Sequence, residues 1–399
     1  MTAPNPSPPA AAGDGARARN PIPLMAVALC AVAGVIHYQT PMLAAMGAEF
    51  GADAAAVGWV ATLSFGGFLA GMIFLMPLGD RLDKRRLILV QLGALILALL
   101  VMAAAPTLAT LAAASLVAGI CASLGQHFIT MAAELARPNT RGQTLGSMLT
   151  AMFLGILLAR IAGGLVASHI GWRWMYVIAA AMLLALAPAL IMRLPSMSAK
   201  TRLAYRPLLW SLVQLLGRHA DLRRVAANQF FLGISYGGFW ATIATMLALF
   251  HHFGPAQVGL MGIPGAAGIF VARAAGRWTD RHGVMPVVSL GISLVLAAFV
   301  VLGFAGLWIG AVVAGAMLLD CGLRAAMVAN QTLVNTIAPD ARSRFNTVFA
   351  ASVWSGNAAG ALVASTALAH SGWLTVCAIA VTSSCFALLV QWRAGRGTL

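Results

Sequence analysis

The sequence predicts an all-α membrane protein, with twelve transmembrane helices in two pseudo-symmetric six-helix bundles. Three observations carry that expectation. Of 399 residues, 61% are hydrophobic and only 9% charged, whereas a soluble domain is nearer half apolar and about a quarter charged. Apolar stretches of roughly 20 residues, enough to cross a bilayer as helix, recur along the whole chain. Short charged motifs return after about 200 residues, so the second half repeats the first.

Residues 1–20 are rich in Pro and Ala and read as a disordered cytosolic tail. Arg17 and Arg19 before an apolar run imitate a signal peptide. That run continues through "HYQTPMLAAM", however, and the loop charges alternate only if it stays as the first span. The N-terminal six-helix bundle is placed at 21–193, with spans near 23–47, 56–78, 87–105, 109–134, 143–167 and 173–193. A cytosolic linker follows at 194–224, carrying Lys200, Arg202, Arg206, Arg218, Arg223 and Arg224. Inside it, "RPLLWSLVQLLG" has the pattern of an amphipathic helix lying on the membrane face. The C-terminal bundle occupies 225–393, with spans near 225–250, 257–275, 285–304, 307–331, 345–368 and 373–392, and 394–399 form a short cytosolic tail.

These runs are too long and too uniformly apolar for barrel strands, and in lipid only helices or closed barrels satisfy the backbone. The 41 glycines agree, since small residues let membrane helices pack closely. The net charge of +15 raises the question of nucleic acid. The basic residues answer it: all but Arg160, Arg173, Arg273 and Arg324 lie in the tails and in alternate loops, and they form no single face. That asymmetry is the positive-inside pattern of an inner-membrane, multi-pass protein with both termini cytoplasmic. The five cysteines sit in apolar runs without metal-ligand spacing and read as buried hydrophobes. No cofactor, metal or nucleic-acid partner is expected. Lipid surrounds the protein, which is expected to be monomeric.

The stretch "MPLGDRLDKRR" (76–86) puts six charges into one short segment, and "GRWTDRHG" (276–283) nearly copies it. "ARPNTRG" (136–142) matches "APDARSR" (338–344), pairing Pro138 with Pro339 and Arg141 with Arg342 at an offset of 201, and "HIGW" (169–172) matches "HSGW" (370–373) at the same offset. The first pair resembles the Gly-x-x-x-Asp-Arg-x-Gly-Arg/Lys motif of the major facilitator superfamily, which lies between spans two and three and recurs between eight and nine. The second copy keeps Gly276, Asp280, Arg281 and Gly283, whereas Met76 and Asp83 replace the glycines of the first. "HYQTP" (37–41), "LLARIAGG" (157–164), "FW" (239–240) and "VANQ" (328–331) followed by "ARSRFNTV" (341–348) resemble the bacterial efflux branch that contains drug, sugar and purine-nucleoside exporters. Ser115 stands where many proton antiporters of that branch carry an Arg, and their span-five Gly-Pro pair is replaced around Arg160.

The resemblance implies a latch between the halves. Asp80 is expected against the amino end of span eleven near Arg344–Thr347, where unpaired N–H groups favour an anion by about 0.3–1 kcal/mol. Lys84 or Arg85 then bridges Asp80 to Glu134, with Arg81 alongside. Asp280 is expected to make the matching contact near Gly142–Thr144 of span five. Such clasps bias a two-state equilibrium. The alternative is that these charges only fix topology.

Ionisable residues at bilayer depth cost about 2.5–3.5 kcal/mol each, so they normally face a cavity or a partner. Asp320 and Arg324 of span ten share one helical face. Either Asp320 carries a proton or it only neutralises Arg324. Arg160 either binds an electronegative group of a solute or caps and snorkels. Arg273 lies one turn from the loop and is expected to snorkel. His37, beside Tyr38 and before the helix-bending Pro41, is a second proton-coupling candidate or a packing residue. Gln126, Phe239, Trp240, Asn330 and Gln331 complete the candidate solute-lining set.

The resemblance implies a secondary transporter of a small organic solute working by alternating access, with proton-driven efflux as the expected direction. The alternative is an importer or facilitator of an anionic small molecule, suggested by Arg160 and Arg324. A non-transporting membrane enzyme or sensor is more remote. The sequence has no nucleophile pattern, phosphate-cradling loop or metal cluster from which to build an enzyme site.

Overall fold

The computed structural model describes residues 21–79, 81–137, 140–197, 205–265, 267–337 and 342–396. Twelve of its helices are long and apolar enough to cross a membrane: Ile22–Phe50, Ala54–Leu78, Lys84–Ala103, Leu108–Leu135, Arg141–His169, Trp172–Arg193, Ala220–His251, Pro255–His282, Val284–Leu302, Ile309–Ile337, Arg344–Ser371 and Trp373–Arg393. We number these spans one to twelve. The linker helix is Tyr205–Arg218, and the described residues contain no strand.

Each span lies over an expected apolar stretch. The boundaries differ most where a helix carries polar turns. Span seven begins at Ala220, so its first turn includes the charged "DLRR". Span eight runs to His282, which puts Asp280 and Arg281 on its last helical turn rather than in a loop. An apolar pattern ends where charge begins, but a helix at the water interface does not. Span one is interrupted by 3-10 turns at Val35–His37 and Thr40–Met42, around Pro41, whose ring removes a backbone donor.

Local chemistry sets the helix ends. Asp53 accepts a hydrogen bond from Ala56 N (2.8 Å) at the start of span two, and Thr107 accepts one from Thr110 N (3.2 Å) at the start of span four. The "HIGW"/"HSGW" repeat builds the same corner twice. His169 Nδ1 bonds the Leu165 carbonyl (2.8 Å) and His370 Nδ1 the Thr366 carbonyl (3.0 Å). Gly171 (φ +97°) and Gly372 (φ +80°) then turn the chain through the region that favours glycine. The two tryptophans that follow are both buried, with Trp172 Nε1 donating to Glu49 Oε2 (2.6 Å) and Trp373 Nε1 to the Leu302 carbonyl (2.7 Å).

The two halves touch on the side away from the Asp-Arg motifs. A Cβ added to Gly58 of span two would lie 2.2 Å from Ser365 Cβ of span eleven. One added to Gly164 of span five would lie 2.3 Å from the Pro255 carbonyl oxygen at the start of span eight. Spans two and eleven still touch past their middle, the Phe68 and Trp354 rings 4.3 Å apart. The start of span five is exposed, with open space within 4 Å beyond Gly142 and Gly146. Span five thus meets the second half at one end and is exposed at the other. The linker helix lies on the second half, where Leu212, Leu215 and Leu216 pack against a cluster built from Leu222, Val225, Phe345 and Val348. Its Trp210 stays exposed.

Candidate functional site

Where the closed and open parts of the interface meet, charged side chains converge from both halves. Arg160 reaches this point because span five packs unusually close to span one. A Cβ on Gly155 would sit 2.1 Å from the Cys30 carbonyl oxygen, and one on Gly163 would sit 2.6 Å from that of Tyr38. From there Arg160, only 4% exposed, crosses to span seven. Its Nη2 donates to Tyr236 Oη (3.0 Å), and its Cζ lies 3.4 Å from the centre of the Trp240 ring. Tyr236 and Trp240 are one helical turn apart and present a single aromatic face.

Span eight closes the site with glycines every third residue. A Cβ on Gly262 would touch Arg160 Cβ and Cδ at 3.4 Å, one on Gly265 would be 2.7 Å from Asp320 Oδ2, and one on Gly268 would be 2.9 Å from Arg324 Cγ. Larger residues there would exclude the charged groups of spans five and ten. Asp320 is buried. Its Oδ1 is 4.0 Å from Arg324 Nη2, too far for a hydrogen bond, and its Oδ2 has no hydrogen-bond partner among the described residues. Arg324 Cζ lies 4.6 Å from the centre of the Phe153 ring. Arg160, Asp320 and Arg324 line one narrow cleft, with only ≈ 20 Å³ of free internal volume, together with Phe153, Ile156, Leu157, Gly262 and Gly265. Apolar walls with a few convergent polar groups are the usual makeup of a small-molecule site.

The structure places the other candidates elsewhere. His37 Nδ1 bonds the Ala33 carbonyl of its own helix (3.1 Å), and its ring meets the edge of Phe65. Tyr38 is wedged between spans one and five, its ring 3.2 Å from where a Gly34 Cβ would stand. Gln126 is half-buried, while its neighbour His127 is buried against Gly79. Phe239 is fully buried in the second half, edge-on to Trp240 and Phe299. Asn330 is buried with Nδ2 unpartnered among the described residues, and Gln331 Nε2 donates to Asn346 Oδ1 (3.5 Å) on span eleven. None of these six lines the cavity. Arg273 is exposed, but span eight continues to His282, so Arg273 lies more than two turns before the helix end and not one turn from a loop.

At the first motif, Lys84 Nζ pairs with Glu134 Oε1 at 2.5 Å. Arg85 does not share that role, because its Nη2 donates instead to the Ile191 carbonyl at the end of span six (2.6 Å). Arg81 is half-buried. Asp80, expected at the latch, lies outside the described residues. Asp83, in a glycine position of the motif, caps span three by accepting from Arg85 N (3.1 Å). It also holds the start of the linker, accepting from Ser196 Oγ (2.8 Å) and Met197 N (3.0 Å). At the second motif, Asp280 and Arg281 are exposed, and the contact expected between Asp280 and the start of span five is not formed. Gly276 packs loosely toward Val328, and Gly283 (φ +83°) makes the turn into span nine.

Three features of the site escaped the sequence reading. Tyr236 was legible as an aromatic one turn before Trp240. The glycine spacing 262-265-268 was legible as a stripe for close approach. The linker contacts of Asp83 had no local signal, since Ser196 and Met197 are more than a hundred residues away.

Comparison with known proteins places the chain. The family model described as Major Facilitator Superfamily matches residues 24–220. The uncharacterized transporter YgaY of Escherichia coli O157:H7 is 32% identical over 373 residues, covering 93% of this chain and 95% of that protein. The probable transporter SCO4007 of Streptomyces coelicolor is 32% identical over 371 residues, covering 92% and 85%. Among solved structures, a bacterial homolog of the human lysosomal transporter Spinster, in its inward-facing and occupied conformation, superposes with a TM-score of 0.77 at 14% identity, over 96% of this chain and 98% of that one.

Proposed function

The chain belongs to the major facilitator superfamily, and from that premise we propose that it is a proton-coupled secondary transporter which carries a small organic solute through the cavity between its halves. It is a multi-pass membrane protein of twelve spans. The observation that carries the reading is Asp320: a buried carboxylate with one unpartnered oxygen, set beside two arginines where the halves meet. An ionisable group at that depth is costly and is most often kept for a pathway or a relay.

The packing supports alternating access. The Arg160–Tyr236–Trp240 contact joins span five to span seven, so it belongs to the closure on the side away from the motifs. Opening that side must part it, and closing the motif side must bring Asp280 toward span five. The basic loops support a cytoplasmic assignment of the motif side, in the inner membrane with both termini cytoplasmic. Export as the direction is supported by the span-one "HYQTP" and span-five "LLARIAGG" resemblances. A second reading, inward carriage of an anionic solute, is favoured by a specific observation: two guanidinium groups face one carboxylate in the cavity.

The test is solute flux in proteoliposomes loaded at one pH and diluted into another. Proton coupling through Asp320 requires that the imposed gradient drive flux and that Asp320→Asn abolish the drive while leaving gradient-independent exchange. Gradient-driven flux in Asp320→Asn would remove Asp320 from the coupling.

A further inference from the structure

The cavity of Arg160, Asp320 and Arg324 has an imbalance that identifies its occupant. Arg160, nearly fully buried, spends Nη2 on Tyr236, but its Nε has no hydrogen-bond partner among the described residues. Among the described residues Arg324 comes no closer to a carboxylate oxygen than the 4.0 Å to Asp320 Oδ1. Trp240 Nε1 is buried and unpartnered as well. The site therefore holds unspent donors and one positive charge in excess, enclosed by Phe153, Leu157 and the glycine face of span eight. Buried donors without acceptors are costly, and the cost disappears when an acceptor of matching charge arrives. A guanidinium fork suits a planar carboxylate best. A cation would meet two arginines in the same small volume.

We propose that this cleft, too narrow here for more than about a water and widened as the halves move apart, takes an organic monocarboxylate with an apolar body, its carboxylate between Arg160 and Arg324, and that such an anion binds together with a proton on Asp320. The inference rests on the reading of this cavity as the solute site and adds the substrate class to it. The joint binding follows from charge. An anion held by the arginines sits beside the Asp320 carboxylate, and like charges that close disfavour each other, so the anion brings a proton to Asp320. Reciprocity then requires that the proton bring the anion. Proton and anion travel in the same direction, which makes the pair a symport and selects the second reading above, inward carriage of an anionic solute, over export.

The charged and titratable groups around Asp320 are few. Its own helix brings Arg324 and Cys321. Span five brings Arg160, and span seven brings Tyr236 and the indole of Trp240. Span eight presents glycines there, with Arg273 exposed further along. Spans nine and eleven carry no ionisable residue at that depth. His37 of span one is within electrostatic reach of both arginines and is the group to control for.

The experiment uses the purified full chain and follows thermal shift and tryptophan fluorescence. Benzoate, phenylacetate and hexanoate are titrated against their amides and the corresponding amines, from pH 5.5 to 8. The expected result is that carboxylates bind and the amides and amines do not, with affinity rising by up to about tenfold per unit fall in pH, as uptake of one proton requires. Asp320→Asn should bind carboxylates with a flat pH profile, and His37→Gln should keep the slope. Arg324→Gln should weaken binding at least tenfold. The wild-type comparison needs no variant: amides or amines binding as well as carboxylates, a pH-independent affinity, or no carboxylate binding overturns the proposal. If amines or amides bind and move in proteoliposomes under a pH gradient, the substrate class falls and the transporter reading stands. If no probe of any charge binds or moves, the transporter reading falls with it.

Discussion

Arg160 of span five lies flat on Trp240 of span seven, guanidinium carbon to ring centre 3.4 Å, and its Nη2 donates to Tyr236 one turn away. One side chain from the first half is thus held twice by the second. Both contacts are buried, and both belong to the closure on the side opposite the Asp-Arg motifs.

Removing the aromatic face should loosen that closure. A desolvated cation–π contact is worth about 2 kcal/mol, which corresponds to roughly a thirtyfold shift between two states. Trp240→Leu is expected to raise the population open on that side. Distances between spin labels at the ends of spans two and eleven there report it. A distribution identical to wild type would show that the stack does not hold the gate.

The glycines give a steric version of the same test. Gly164→Val puts a side chain where even a Cβ would lie 2.3 Å from the Pro255 carbonyl oxygen, and the neighbour is backbone. Spans five and eight then cannot meet, and the same label pair should report an open side with flux lost. Gly142→Ala, on the same helix, enters open space and should leave expression and this conformation unchanged.

How far the sequence could lead is clear from these residues. The spans were legible because lipid demands long apolar runs, and the repeat was legible because the same corner is built twice, down to Trp172 and Trp373. Arg160, Asp320 and Arg324 were legible as charges at bilayer depth. Their convergence was not, because it depends on the rotation of spans five, eight and ten about their own axes, and a uniformly apolar helix carries no periodic signal of which face is inward. Phe239 and Trp240 show the limit: they are adjacent in sequence, yet Phe239 turns into the core while Trp240 meets Arg160.

Lys84 is buried and pairs with the half-buried Glu134. Taking away the carboxylate leaves a buried ammonium without that partner, and breaking a buried pair from one side costs up to about 3–5 kcal/mol. Glu134→Gln should therefore lower thermal stability in detergent more than Glu134→Gln combined with Lys84→Met. Equal losses in the single and double variants would mean that the pair is not coupled.

Asp83 gives a pH dependence outside the membrane. Partial desolvation pushes its carboxyl up, but hydrogen bonds from Met197 N, Ser196 Oγ and Arg85 N, with Arg86 nearby, hold it below the usual carboxylate range. Because the folded value is depressed, the ionised form stabilises the linker attachment above the ordinary carboxylate range. That contribution is lost as pH falls through the depressed value. Hydrogen-exchange protection factors at 194–197, corrected for the intrinsic rate at each pH, should fall at acid pH in wild type and be low at all pH in Asp83→Ala. Protection in Asp83→Ala equal to wild type would assign the attachment to other contacts.

Asp280 is exposed and makes no ion pair or side-chain hydrogen bond among the described residues, and Gly142 and Gln143 at the start of span five are exposed as well. A helix start offers unpaired N–H groups and partial positive charge, worth about 0.3–1 kcal/mol to a carboxylate at the surface and up to about 2 kcal/mol when partly buried. If closing the motif side brings these groups together, Asp280→Asn removes attraction from that state alone. The population closed on the motif side should then fall about two- to fivefold. Flux should slow while membrane insertion stays intact, and added salt should mimic the variant. Label distances between the motif-side ends of spans five and eight read the shift directly. Unchanged distances together with unchanged flux would leave the motif charges with a topological role only.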